Sequence, residues 1–501
     1  MTDLLGSEST LTTIVEQIKA VAQERVNDVT LETNIVELGL DSLERLEIVA
    51  RIEERFAIRI PENDLHEIET VAEIKQAIEE RLAHKGEKEV IPPEYYQLDH
   101  LPEWVQLKKT IDSMEAAGER NPFFAVHQGI SNNTTLLNDK EMINYSGNNY
   151  LGMSGNPEVH EAAKAAIDKY GTSVSASRLV SGTRPIHEEL ERTIAEFIGA
   201  EEAITFTSGH STNTVVIGHL MGAGDLIVHD ELVHNSIIVG SLLSGASRRS
   251  FPHNDYEALS DLLEKVRPQY RKVLVIIEGI YSMDGDFPDV PQFIEVKNRH
   301  KVLLMIDEAH SIGVLGACGR GISEYYDIRN EEVDIWMGTL SKALGACGGY
   351  IAGRKPFIQY MKHTCPGVIF TIGLSPPSTA ASLKALQLIR DDPSRVATLH
   401  ARAAYFLTLA KQQGFNTGDS RETPIIPVIL GNSIHALKAS RLMHEQGISV
   451  QPILHPAVDE EGARLRFFIN ALHTNEQLGK TAKTLATVLN QLDPSYTQHR
   501  H

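Results

Sequence analysis

Val302-Leu303-Leu304-Met305-Ile306-Asp307-Glu308-Ala309-His310-Ser311 is the stretch that decides the fold. Its continuous apolar run reads as a strand buried on both faces, and such strands belong to parallel sheets covered by helices. The run breaks into polar residues at its carboxyl end, where open α/β sheets hold their ligands. There the Asp307 carboxylate can pair with a protonated ring nitrogen, and the His310 imidazole, three residues on, can reach the same ring. Taken alone, the stretch also fits a helix-capping aspartate with an incidental histidine.

Neighbouring sequence repeats the pattern. From Asn144 onward, apolar runs alternate with helical stretches, with candidate strands at 203–207, 225–229, 273–277, 302–306, 334–337 and 349–352. The run at 334–337 ends in Gly338-Thr339-Leu340-Ser341-Lys342-Ala343-Leu344-Gly345. A lysine among hydroxyls and small residues suits a Schiff base to a phosphorylated aldehyde, because hydroxyls bind phosphate and glycines admit close backbone approach. Upstream, Thr207-Ser208-Gly209-His210-Ser211-Thr212-Asn213 joins a strand to a helix, so its amides and hydroxyls can cup an anion. Further on, His234 in Asp230-Glu231-Leu232-Val233-His234-Asn235-Ser236 offers an imidazole able to stack on the ring.

The first 85 residues differ in character. They hold 19 Asp and Glu against 9 Lys and Arg, about half of the chain's formal charge of -20. Leu11, Ile14, Val15, Ile18, Val21 and Ala22 follow helical spacing, a second helix opens near Asp41, a short element follows at 61–66, and a last helix runs over 71–83. This predicts a small four-helix bundle. Glu37-Leu38-Gly39-Leu40-Asp41-Ser42-Leu43 puts a serine hydroxyl at a helix N-terminus beside a glycine-containing loop. A phosphoryl group on Ser42 would there meet unpaired amides and the positive end of the helix dipole, although Asp-Ser before a helix also serves as a plain cap. From Gly86 to about Trp104 periodicity fails around Pro92-Pro93, which reads as a linker.

Composition narrows the function classes. At 501 residues the chain exceeds one hydrophobic core, and its 42% hydrophobic and 23% charged content is that of an ordinary globular protein. The acidic balance argues against nucleic acid and anionic membrane as partners. Three scattered cysteines, Cys318, Cys347 and Cys365, provide neither a disulfide framework nor a zinc site and fit a reducing compartment. The N-terminus lacks a signal-peptide pattern, and no apolar run approaches the roughly 20 residues of a membrane span, so a cytoplasmic location is expected.

Residues 8–84, with their acidic composition and Gly-Leu-Asp-Ser-Leu run, resemble an acyl carrier protein. That resemblance implies Ser42 as the attachment site of 4'-phosphopantetheine, and the acidic second helix, with Glu44, Glu47, Glu53 and Glu54, as a face for basic partners. Residues 105–490 resemble the α-oxoamine synthases, a branch of the fold-type-I pyridoxal-phosphate (PLP) enzymes. The likeness is carried by the motifs above together with Asn148-Asn149-Tyr150-Leu151-Gly152, Ser282-Met283-Asp284-Gly285 and Arg464-Leu465-Arg466. It implies a mainly parallel seven-stranded sheet with a smaller α+β C-terminal subdomain. The expected division is an acyl carrier domain over 1–85, a linker over 86–104, the PLP-binding N-terminal and large domain over 105–395, and the small domain over 396–501.

By the same resemblance, Lys342 holds the cofactor and moves the Cα proton, Asp307 keeps the pyridine nitrogen protonated, His234 stacks on the ring and His310 bonds its phenolic oxygen. Gly209, His210 and Thr339 bind the phosphate, with Thr371 of the partner subunit in a homodimer. Ser282 lies close to the cofactor, and Asn148 and Arg466 hold the substrate carboxylate. At His210 several family members have an aromatic residue; its backbone amide still serves. The implied reaction is a decarboxylative condensation of an amino acid with an acyl thioester, the acyl group riding on the fused carrier, with a phosphopantetheinyl transferase and an acyl-loading enzyme as partners. An aminotransferase of the same fold and a non-catalytic carrier scaffold are the alternatives.

Overall fold

The computed structural model describes residues 2–22, 29–35, 42–60, 70–83, 91–116, 122–455 and 457–498. The chain divides into two compact units, Met1–Ser113 and Met114–His501.

In the first unit, helices Thr2–Ala22, Ser42–Phe56 and Val71–Ala83 surround a core of Ile14, Ile18, Val21, Ile35, Ile48, Ile52, Val71, Ile74 and Ile78. The apolar positions recur at three and four residues, one stripe per helix. A capping box starts the last helix: the Glu73 amide donates to Thr70 Oγ1 at 3.3 Å, and the Thr70 amide donates to the Glu73 carboxylate at 2.8 Å. The Glu37–Asp41 part of the serine motif and the short element expected at 61–66 lie outside the described residues. Two short 3-10 turns, Pro93–Tyr95 and Leu98–His100, fall within the segment that composition marks as linker, and a helix, Pro102–Ala116, begins at its end.

The second unit is built on a seven-stranded sheet in the order Glu202–Phe206, Gly349–Gly353, Ile335–Thr339, Leu303–Asp307, Val273–Glu278, Leu226–Asp230 and Ser247–Phe251. All neighbours are parallel except Gly349–Gly353, which runs antiparallel to both of its partners. The central strands are apolar on both faces because helices cover both: one buried cluster includes Val275, Ile277, Leu304 and Ile306, and another Leu274, Ile276 and Met305. Six of the strands coincide with sequence candidates to within a residue or two. The seventh, Ser247–Phe251, is an edge strand exposed over its first four residues, so it lacks the apolar run that marks the others.

A smaller layer holds the C-terminal segment. Its antiparallel sheet, Ile425–Ile429, Arg464–Phe468 and Gln451–Ile453, packs with helices Ser394–Gln412, Ser433–Glu445 and Asn475–Leu492 around Phe406, Phe415, Leu465 and Phe467. Ile448–Ser449 pairs in parallel with Lys140–Asn144, so the segment preceding the large sheet contributes its own strands to this end of the unit. No described helix is long and apolar enough to cross a membrane.

Candidate active site

Three strands that feed the site end in a polar residue at the carboxyl edge of the sheet. Asp307 closes Leu303–Asp307, Glu278 closes Val273–Glu278 and Thr339 closes Ile335–Thr339. A cavity of about 280 Å³ opens there, lined by Gly209, His210, Asn213, His234, Ser236, Glu278, Asp307, His310, Thr339 and Lys342 among others. Seven residues singled out in the sequence therefore meet around one space: Gly209, His210, His234, Asp307, His310, Thr339 and Lys342.

Asp307 is 4% exposed. Its Oδ2 accepts from the Asn213 amide at 2.7 Å, and its Oδ1 accepts from the Ala309 backbone N–H at 2.9 Å. The same Asn213 amide donates to Ser236 Oγ at 2.9 Å. These donors fix a buried carboxylate with its face to the cavity, the arrangement a cationic ring nitrogen requires. Burial pushes the Lys342 amine down to about 8, with Asp307 pulling the other way. A lysine so placed has a substantial neutral fraction near pH 8, which nucleophilic attack on an aldehyde demands.

Two imidazoles flank this pair. Tyr150 OH lies 2.8 Å from His310 Nδ1. Burial, then the Lys342 charge, holds His310 well below the ordinary histidine range. His234 caps helix Asn235–Ser244, its Nδ1 accepting from the Ser236 amide at 3.2 Å, and its pKa is lowered, chiefly by desolvation. Neutral rings stack on, or bond to, an aromatic cofactor without adding charge to the cavity. The His210 ring stands edge-on to that of His234, centroids 6.2 Å apart.

The residues present fit a phosphate. Helix Gly209–Leu220 starts at the cavity wall, capped by Ser208, which accepts from the Ser211 amide at 3.1 Å. A Cβ at Gly209 would lie 2.8 Å from Thr339 Oγ1, and one at Gly349 would lie 2.8 Å from the Gly209 Cα. Only glycine lets helix start, Thr339 and the antiparallel strand converge this closely, which brings the helix N-terminus and Thr339 together at the cavity wall. Thr339 Oγ1 donates to the Gly348 carbonyl at 3.0 Å and lies 2.8 Å from Ser341 Oγ.

Asn148, Ser282, Arg466 and Thr371 are not part of the cavity wall. Arg466 Nη1 donates to the Ser282 carbonyl at 2.9 Å, and its guanidinium lies over the Phe468 ring at 4.6 Å. The two arginines of Arg464-Leu465-Arg466 separate in role. Arg464 pairs with Asp284 at 2.6 Å, whereas Arg466 has no carboxylate within ion-pair distance among the described residues. Asn148 Oδ1 is buried without a protein partner among them. Thr371 sits on the loop between Phe370, 82% exposed, and Ile372, 46% exposed. Ser42 opens its helix in the first unit.

Among the wall residues that sequence reading did not single out are Asn213, Ser236 and Glu278. Asn213 and Ser236 lie inside the quoted loops, but nothing in a sequence says which amide will face Asp307. Glu278 comes directly after the apolar run 273–277, and the rule that strands end in site residues, applied to Asp307, would have found it.

Fold and site define a PLP-dependent acyltransferase. The model of aminotransferase class I and II matches residues 140–485, and that of the phosphopantetheine attachment site matches 12–78. The 8-amino-7-oxononanoate synthase of Thermoanaerobacter pseudethanolicus is 38% identical over 387 residues, 77% of this chain and 97% of its own. That of Fervidobacterium nodosum is 41% identical over 68% of this chain and 87% of its own. Among solved structures, serine palmitoyltransferase from S. paucimobilis with bound PLP-myriocin aldimine superposes with a TM-score of 0.75 at 27% identity, covering 78% of this chain and 98% of its own. The chain belongs to the class I and II aminotransferase family, in its α-oxoamine synthase branch, with a phosphopantetheine-attachment domain ahead of the catalytic part.

Proposed function

We propose that this enzyme condenses a small amino acid with an acyl thioester carried on its own Ser42-linked phosphopantetheine, releasing carbon dioxide and an α-aminoketone. The observation that carries the reading is the pairing of Lys342 and Asp307 in one cavity with an unpaired guanidinium, Arg466, nearby. In the overall change the amino acid's Cα–H is lost and a bond forms from Cα to the thioester carbonyl carbon. The thiol leaves, the bond to the original carboxylate breaks, and a proton returns to Cα.

Bound PLP supplies the electron sink for negative charge at Cα. Lys342 holds the cofactor and then, as a free amine, takes and returns the Cα proton. Asp307 keeps the ring nitrogen protonated, His234 covers the ring face and His310 bonds its phenolic oxygen. Gly209 and His210 amides and the Thr339 hydroxyl hold the phosphate, with Ser282 beside the cofactor. Arg466 and Asn148 grip the substrate carboxylate. Thr371 serves the partner subunit's phosphate in a homodimer; the exposed Phe370 and Ile372 around it, with exposed Leu179 and Val180, give it an apolar surface suited to that contact.

In this reading residues 1–85 carry the acyl arm, 86–104 tether it, 105–395 hold the cofactor and 396–501 complete the substrate grip. Tethering raises the donor's effective concentration at the site. A phosphopantetheinyl transferase and an acyl-loading enzyme act beforehand on Ser42, in the cytoplasm. The test is to add single amino acids to the holoenzyme bearing acylated carrier, following the visible cofactor band and carbon dioxide release. One small amino acid should shift the band and release carbon dioxide without consuming a keto acid. Keto-acid consumption would indicate transamination, and a missing band after PLP addition would leave only a carrier scaffold.

A further inference from the structure

Glu278 and Asp307 end neighbouring parallel strands and are direct register partners, so their side chains leave the same face of the sheet. Both are 4% exposed, and both line the cavity. Two carboxylates so placed repel, and their burial leaves little hydration for either. Their surroundings are unequal. Asp307 accepts from the Asn213 side chain as well as from a backbone amide. Glu278 accepts from the His234 backbone N–H at 2.5 Å and has no cation within ion-pair distance among the described residues.

The charged and titratable groups acting on Glu278 are Asp307 on one neighbouring strand, Asp230 at the end of the other, Tyr281 in the turn after Glu278, and Lys342 in the same cavity, while His234 acts on it through its backbone N–H. Asp230 is already engaged, 3.0 Å from His253, whose other nitrogen lies 2.9 Å from Asp286. Lys342 is thus the cation that Glu278 and Asp307 would have to share, and it is committed to the cofactor.

We propose that Glu278 is a positioning residue that works as the neutral carboxylic acid, fixing His234 through its backbone while leaving Asp307 as the single negative charge on that wall. Burial first, and then repulsion by Asp307, hold its carboxyl well above the usual carboxylate range, in keeping with this. The His234 ring is then held from two sides, by Glu278 at its backbone and by Ser236 at Nδ1, 2.7 Å from Ser236 Oγ. This rests on the assignment of Lys342 and Asp307 to PLP.

The test compares Glu278→Gln, Glu278→Asp and Glu278→Ala in the full-length holoenzyme. Glutamine keeps a neutral group with a carbonyl acceptor for the His234 amide; aspartate keeps the acid and withdraws it. Glutamine should leave the pH midpoint of the visible cofactor band within about 0.3 units of wild type and hold kcat within about tenfold. Aspartate and alanine should lower kcat by about a hundredfold, nearly 3 kcal/mol at 1.36 kcal/mol per tenfold, with a smaller change in KM for the amino acid. A glutamine variant whose midpoint moves by about one unit or more, as loss of a nearby charge requires, and whose kcat falls with alanine overturns the proposal. If alanine fails to fold, glutamine against aspartate still decides. A wild-type protein without a visible band would instead refute the Lys342 assignment.

Discussion

Replacing Asn213 by alanine isolates what holds Asp307 in place. Asn213 is 1% exposed, and its amide donates to Asp307 at 2.7 Å and to Ser236 at 2.9 Å. The first is a charge-assisted bond to a buried carboxylate, with a value of about 1.5–3 kcal/mol; the second is neutral, about 1 kcal/mol. Alanine leaves Asp307 with its Ala309 amide bond and no side-chain donor, so the carboxylate is free to turn away from the ring nitrogen. If that loss falls on the bound state, PLP affinity drops about 10- to 100-fold, at 1.4 kcal/mol per factor of ten. Ser236→Ala keeps the bond to Asp307 and removes two neutral contacts, with Asn213 and with His234 Nδ1, and should cost less than Asn213→Ala. The assay is titration of the cofactor-free protein with PLP, read from the visible band and checked by equilibrium dialysis. An Asn213→Ala Kd within twofold of wild type, or a Ser236→Ala effect as large as that of Asn213→Ala, would show that Asp307 is oriented by something else.

The same geometry sets further outcomes. Because the Lys342 pKa is lowered to about 8, and the neutral amine is the reactive form, the rate of PLP uptake should rise about tenfold per pH unit below 8 and level off above it; a flat rate from pH 6 to 9 contradicts the assignment. His473, 1% exposed, accepts at Nδ1 from the Asn470 amide, lies with Nε2 3.1 Å from the Asn144 carbonyl, and has its pKa lowered by burial to about 4. Between pH 6.5 and 4 the unfolded chain takes up a proton that the folded chain refuses. Stability should therefore fall by about 3 kcal/mol across that window as pH drops, and His473→Gln should flatten this slope in denaturant titrations. Gly349→Ala places a Cβ 2.4 Å from Thr212 Oγ1 and 2.9 Å from the Ser208 carbonyl, so PLP affinity should fall more than tenfold in the same titration, with about 1–3 kcal/mol of stability lost. Ser42→Ala should abolish phosphopantetheine loading by intact mass and turnover of carrier-bound donor, while the cofactor band persists; survival of carrier-dependent turnover would move the attachment site elsewhere.

Legibility tracked how locally each feature is encoded. The strand Leu303–Asp307 could be read because burial on both faces forces a run of apolar residues, and the site residue stands where the run stops. Helix Val71–Ala83 could be read from three- and four-residue spacing. The edge strand Ser247–Phe251 could not, because solvent covers most of it and nothing demands apolar residues. Lys342, Asp307, His234 and His310 were visible as chemistry awaiting a partner. Asn213 was not, since it acts through a contact between segments 94 residues apart; Glu278 was passed over although it stands where the run 273–277 stops. The family resemblance singled out Arg466 over Arg464, but the residues alone gave no reason for that choice, because both stand on one strand face and only the position of Asp284 separates them.

That separation explains why Ser282-Met283-Asp284-Gly285 is a motif at all. The turn is the joint between the sheet that carries Lys342 and the smaller layer that carries the arginines. Arg464 Nη1 donates to the Met283 carbonyl at 3.0 Å as well as to Asp284, and Arg466 Nη1 donates to the Ser282 carbonyl. Gly285 adopts a φ of +71°, and a Cβ there would lie 1.9 Å from the Ile425 carbonyl oxygen; no other residue lets the two layers close at this point. Tyr150, from the segment preceding the large sheet, reaches His310. A guanidinium left without its own carboxylate is costly to bury unless something else completes it. Asp284 pairs with Arg464, so among the described residues Arg466 keeps no carboxylate within ion-pair distance, and the substrate carboxylate of the proposed reaction would complete it.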